Sequence, residues 1–201
     1  MGKCCYSKKE KNSGFTLVEF LIAMALALLI IGSLSSAFLS QRKTFDAQEQ
    51  VTEMIQGARA VMDMISREVK MAGYDPTGAG IVGIPIFTAT QLRIVADLNG
   101  DGDTSDSHEI ITYTDDSTNN KQIDRATGSG GTAQPFAENI QSCAFQYDDT
   151  DGNTAAAAAD IRRIKITITS RTSKLDPNYG PNGGYRTYTL SSYVTPPNLD
   201  L

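Results

Sequence analysis

Tryptophan is absent from this chain, histidine occurs once and cysteine three times. One histidine (His108) leaves no basis for a histidine-rich metal site, and it sits in a polar loop where no serine or threonine stands out as the nucleophile of a triad. No glycine-rich phosphate loop sits between a strand and a helix. Net positive charge is lacking too. With Lys+Arg 18 against Asp+Glu 23, the net charge is −5 and the pI about 4.9, which argues against phosphate backbones as partner. The basic groups Arg162/Arg163/Lys165 and Arg171/Lys174 are too small for a nucleic-acid patch, and the tyrosines read as sheet residues. Nothing here reads as an enzyme, and no nucleic acid is expected as a partner.

What the chain has is asymmetry. Its mean hydropathy of −0.24 averages a soluble remainder with one strongly apolar segment. Phe15 to Leu39 is an uninterrupted run of 25 residues whose single charge is Glu19. As a helix this run spans roughly 37 Å, enough for a bilayer core of ~30 Å. The preceding stretch, Met1 to Gly14, carries Lys3, Lys8, Lys9 and Lys11 against Glu10. That flank favours a cytoplasmic N-terminus and a single pass with the remainder exported, a bias that Arg42 and Lys43 weaken without reversing. No clean cleavage site of the ordinary secretory type follows the apolar run.

The boundary in front of the run is distinctive: Gly14-Phe15-Thr16-Leu17-Val18-Glu19. It resembles the class III signal of type IV pilins and pseudopilins. The resemblance implies that a membrane prepilin peptidase cuts between Gly14 and Phe15 and that the new N-terminal Phe15 is methylated. It also implies that Glu19 pairs with the free amine of a neighbouring subunit as subunits stack. A carboxylate at mid-membrane costs on the order of 2.5–3.5 kcal/mol on insertion scales, and much less if Glu19 reaches the headgroups. Cys4 and Cys5 would leave with the leader, so Cys143 would remain alone and form no internal disulfide. Cys143 reads as a small buried core residue in the strand pattern Ile140-Cys143-Phe145.

Helical pattern continues past the membrane. Val51, Ile55, Ala58, Met62, Ile65, Val69 and Ala72 form an a/d stripe, with Glu53, Arg59, Asp63, Arg67, Glu68 and Lys70 on the polar side. Asp63 and Arg67 are an attractive i,i+4 pair. A helix from Phe15 to Ala72 is expected, ending at Gly73 before Pro76, with Gly57 and Ser33 to Ser36 as weak points. The stripe has two readings, a seam with another chain or a face for the chain's own sheet, and the strand-like sequence that follows favours the second.

After Pro76 the period falls towards two. Strands are expected at Ile81–Thr88 (an edge, given Pro85), Gln91–Ala96, Glu109–Thr114, Lys121–Arg125, Ile140–Tyr147, Ile161–Ser170 and Tyr185–Thr195. The expected fold is α+β: a long N-terminal helix packed on a C-terminal antiparallel sheet. The divisions are 1–14 (leader), 15–39 (membrane and fibre-core helix), 40–73 (amphipathic continuation) and 74–201 (β head).

Beyond residue 40 the segments Ala58-Arg59, Met62-Asp63, Arg67-Glu68-Val69 and Ala72-Gly73-Tyr74-Asp75-Pro76 resemble minor pilins of the PilW kind. So do Pro135-Phe136-Ala137-Glu138-Asn139-Ile140, Ile161-Arg162-Arg163-Ile164 and the closing Pro196-Pro197-Asn198-Leu199, where Pro197 replaces an arginine frequent in that group. The resemblance implies a structural subunit of the type IV pilus that initiates or tips the fibre. Its partners would be other minor and major pilins, prepilin peptidase, the inner-membrane assembly platform and membrane lipid. It would reside in the bacterial inner membrane and then in the extracellular fibre. Two other readings stand beside it: a GspJ-like pseudopilin of type II secretion, and a calcium-dependent adhesin at the tip. The calcium reading rests on Asp97, Asn99, Asp101 and Asp103, spaced like the start of an EF-hand loop, with Glu109 one place beyond the expected acid. The competing reading is a solvated Asp/Asn/Gly hairpin loop.

Overall fold

The computed structural model describes residues 14–200. Leucine, alanine and methionine dominate the first element, and these are strong helix formers. They build α1, Leu17–Val69, 53 residues and about 80 Å in length. The expected weak points do not break it. The Ser33 hydroxyl donates back to the Ile30 carbonyl at 2.8 Å, so the helix absorbs that serine as a local back-bond. Regular helix stops at Val69, three residues earlier than expected. There Met71 and Ala72 donate to Glu68 and Val69, tightening the last turn into i→i−3 bonds. Gly73 follows with φ of 77°, the left-handed cap expected of it, and its N–H donates to Val95 O at 2.9 Å. A side chain at Gly73 would also meet Leu199 Cδ2 at 2.9 Å, so glycine is required there twice over.

The chain divides into two compact units, Met1–Asp46 and Ala47–Leu201. In the first, every described residue from Gly14 to Asp46 is exposed. Among the described residues, α1 is the one helix long and apolar enough to cross a membrane.

In the second unit the strands are β1 (Ile86–Phe87), β2 (Gln91–Val95), β3 (Ile110–Asp116), β4 (Gln122–Thr127), β5 (Gln134–Glu138), β6 (Ile140–Asp148), β7 (Arg163–Arg171) and β8 (Thr187–Val194). They form two antiparallel sheets rather than one: a five-stranded sheet in the order β1 to β5 and a three-stranded sheet β6-β7-β8. Asn139, at φ 58°, lies between β5 and β6 where the chain passes from one sheet to the other. β5 was not foreseen as a strand; its Pro135 lowers strand propensity but is tolerated at a sheet edge. The expected Ile81–Thr88 strand shrinks to two residues beside Pro85.

The helical stripe faces this unit's own sheets. Val61, Met62, Ile65, Val69 and Ala72 join Leu92, Ile94, Tyr113 and Ile123 of the first sheet and Ile140, Cys143, Phe145, Ile164, Ile166 and Ile168 of the second in one core. β7 alternates as its sequence predicts, with the three isoleucines fully buried and Lys165, Thr167 and Thr169 on the other face.

Candidate functional site: the processing junction and helix start

Gly14, Phe15 and Thr16 have no helical or strand structure, and Phe15 is 93% exposed. Among the described residues, and apart from its chain neighbours, no atom lies within 4 Å of where a Gly14 side chain would begin. The Gly14–Phe15 bond therefore lies on open, non-helical backbone immediately ahead of α1. That is the form in which a peptidase can align a peptide bond.

Thr16 occupies the N-cap position of α1 and Glu19 the third helical position. The Thr16 N–H and Oγ1–H both donate to Glu19 Oε2, at 2.8 and 2.9 Å, and the Glu19 N–H donates to Thr16 Oγ1 at 3.3 Å. This reciprocal pair is a capping box. It was present in the sequence as Thr-x-x-Glu at 16–19, a signal overshadowed by the apolar run behind it. Glu19 thus closes the start of its own helix, while Oε1 has no partner among the described residues. A negative group at a helix N-terminus is also favoured by the helix dipole. The carboxylate is held at the end of the apolar helix, two residues into α1 and four from Phe15.

In the Asp-rich loop the carboxylates bond the loop's own backbone. Asp97 is fully buried and Glu109 nearly so. Asp97 accepts the N–H groups of Gly100 and Gly102 at 2.6 and 3.0 Å, and Glu109 those of Leu98 and Asp106 at 3.0 and 3.3 Å. Asn99 donates its amide nitrogen to the carboxylates of Asp101 and Asp106, and its Oδ1 accepts the Asp101 N–H at 3.0 Å. Asp101 and Asp103 accept the N–H groups of Asp103 and Ser105. The Ser105 N–H and hydroxyl hold the Asp103 carboxyl below its ordinary range. Among the described residues, no three His, Cys, Asp or Glu side chains gather closely enough to hold a metal ion.

Behind this loop, Asp75 accepts Ala79, Gly80 and Ile81 N–H groups and the Thr77 hydroxyl. Desolvation raises its pKa, but those donors outweigh it and bring the carboxyl down to about 2.

Sequence reading placed Glu68 on the polar face of α1, and the structure corrects this. Glu68 is buried, accepts the Tyr113 hydroxyl, and takes two bonds from Arg125, the shorter at 2.7 Å. Its partners come from β3 and β4, so no local spacing could have announced the cluster. Burial, followed by the bond to Glu68, pushes the Tyr113 hydroxyl pKa up.

Comparison with known proteins bears on the junction. Residues 9–35 match the prokaryotic N-terminal methylation motif. The match covers Lys9 and Lys11 of the basic flank, Gly14, Phe15, Glu19 and most of the apolar run. A type IV-like pilin from Thermus thermophilus aligns in structure with a TM-score of 0.46 and 11% identity, covering 72% of this chain and 97% of that one. No curated protein matches the sequence. The methylation motif, with one long N-terminal helix packed on antiparallel sheets, supports a pilin or pseudopilin role. The motif and the apolar helix also fit an inner-membrane anchor.

Proposed function

We propose that this chain is a prepilin whose processed form is a non-enzymatic subunit of a type IV fibre, and within that class a minor pilin of the PilW kind. The observation that carries the reading is the methylation motif set on an open Gly14–Phe15 bond that feeds directly into α1. Prepilin peptidase removes residues 1–14 and methylates Phe15. The helix holds the subunit in the inner membrane until other pilins and the assembly platform take it into the fibre, where helix–helix contacts replace lipid.

Glu19 supplies the polar element of that transfer. In the capping box its Oε2 is occupied by Thr16, while Oε1 has no partner among the described residues. The amine created at Phe15, on this chain or a neighbour, offers a cation to that oxygen. In a low-dielectric fibre core an ammonium–carboxylate pair is strongly favoured over either charge alone, so the pair fixes the axial register of stacked subunits.

The test is Glu19→Ala against Glu19→Gln in a strain that builds fibres. Both variants insert in the membrane and lose residues 1–14, and both fall sharply in sheared fibres. Wild-type incorporation of either variant would refute the register role while leaving the processing claim standing.

A further inference from the structure

Two antiparallel sheets expose four edge strands, and three of them are blunted. β1 has only two residues, and β5 carries Pro135. β6 is covered along its free side: Phe145 N–H donates to Ala89 O, Tyr147 O accepts the Ala155 N–H, and Asp148 bridges to Thr154. These are the devices by which proteins protect a sheet edge. β8 has none of them. Its eight residues, Thr-Tyr-Thr-Leu-Ser-Ser-Tyr-Val, include no proline, glycine or charge.

Register shows which groups are left open. Thr172 N–H donates to Arg186 O, so in the ladder with β7 the residues 188, 190, 192 and 194 turn their peptide groups inward. The N–H and C=O groups of Thr187, Thr189, Ser191 and Tyr193 point away from the sheet, and no backbone partner meets them among the described residues.

The side chains of these residues share the outer face with β7. Thr167 bonds Ser191 at 3.1 Å and Thr169 bonds Thr189 at 3.0 Å, making a flat hydroxyl surface between two cations. Lys165 lies over the Tyr193 ring at 5.8 Å and Arg171 over the Tyr185 ring at 4.2 Å, which carries both charges to the β8 side. Neither is in an ion pair among the described residues, and neither β7 nor β8 contains an acid. Arg163, also over Tyr193, is already paired with Asp148 at 2.8 Å.

We infer that β8 is a docking edge for an extended acidic segment of another protein, which adds as a fourth strand beside β8. The main chain of that segment meets the open groups of residues 187, 189, 191 and 193. Its carboxylates, spaced as Lys165 and Arg171 are spaced along β7, meet those two cations, and small polar side chains between them lie along the hydroxyl rows. A second copy of this chain is a poor occupant. Antiparallel pairing of β8 with itself would bring Lys165 of one copy towards Arg171 of the other, like charge against like.

The test uses the unit Ala47–Leu201, which contains every member of the hydrophobic core. A labelled peptide of alternating threonine and valine, with two aspartates at the Lys165–Arg171 spacing, is compared with the same peptide carrying lysines. Amide exchange by NMR is the readout. The acidic peptide is expected to protect the amides of Thr187, Thr189, Ser191 and Tyr193, and the lysine peptide to leave them open. The doubly reversed variant Lys165→Glu/Arg171→Glu, checked for unchanged melting, is expected to weaken the acidic peptide by at least about tenfold. Failure of the acidic peptide to protect those amides overturns the proposal, as does equal protection by both peptides. Concentration-dependent protection without peptide overturns it in favour of self-pairing.

Discussion

Glu68 and Arg125 are separated by 57 residues in sequence and by 2.7 Å in space. Their ion pair, with the Tyr113 hydroxyl on the same carboxylate, fastens the end of α1 to β3 and β4. Glu68 side-chain exposure is 7% and that of Arg125 is 22%, so one partner is dry and the other half-sheltered. The pair fixes register between helix and sheet more than it adds stability, since desolvation offsets much of the attraction.

Breaking it from one side is costly because a charge is left behind. Arg125→Ala is expected to destabilise the Ala47–Leu201 unit by roughly 3 kcal/mol, which lowers Tm by several degrees for a domain of this size. Replacing all three members, Glu68→Leu with Arg125→Met and Tyr113→Phe so that no buried hydroxyl is left without its acceptor, should recover most of that loss. Thermal melting of both variants checks the claim, and a triple variant less stable than Arg125→Ala would refute it.

Acid sensitivity should trace partly to Asp75. Its folded pKa of about 2 lies below the ordinary carboxylate value of 3.8. The sign follows from linkage: a depressed carboxyl contributes stability above its unfolded pKa, and that contribution is lost as pH falls through the folded value. The Asp75→Asn variant should therefore lose stability at neutral pH, and the gap to wild type should narrow between pH about 4 and about 2. A gap that stays constant across that window would contradict the assignment.

Cys143 is 2% exposed, and burial, followed by the Asp115 charge, pushes its thiol up to about 12. The native head should resist thiol reagents at neutral pH and become reactive only on unfolding. Rapid labelling of the folded protein would show that β6 opens without global unfolding.

The Asp97–Glu109 loop should keep its structure without a cation, because backbone amides already engage Asp97, Asp101, Asp103 and Glu109. Millimolar calcium is expected to leave the melting curve unchanged. A saturable rise in Tm would contradict this and support the EF-hand-like reading of Asp97, Asn99, Asp101 and Asp103.

Local pattern revealed much of the fold. The apolar run, the stripe from Ala58 to Ala72 and the alternation of Ile164, Ile166 and Ile168 each repeat at a period that one element alone imposes. The stop at Gly73 was also readable, because only a left-handed residue suits that cap. Three features were not. β5 was hidden by Pro135, whose cost depends on whether the strand lies at an edge. The division into two sheets depends on long-range pairing across Asn139, and the burial of Glu68 on partners from two distant strands. At the junction, Gly14, Phe15 and Glu19 were legible from order alone, whereas the capping role of Thr16 was written there but read only in three dimensions.

The central claim is that this chain is processed and polymerised. Mass spectrometry of sheared fibres, with the N-terminal peptide sequenced, addresses it directly. The expected result is a chain present in the fibre fraction that begins at N-methylated Phe15. A chain that retains residues 1–14, or that is confined to the membrane fraction while fibres assemble without it, would contradict the claim.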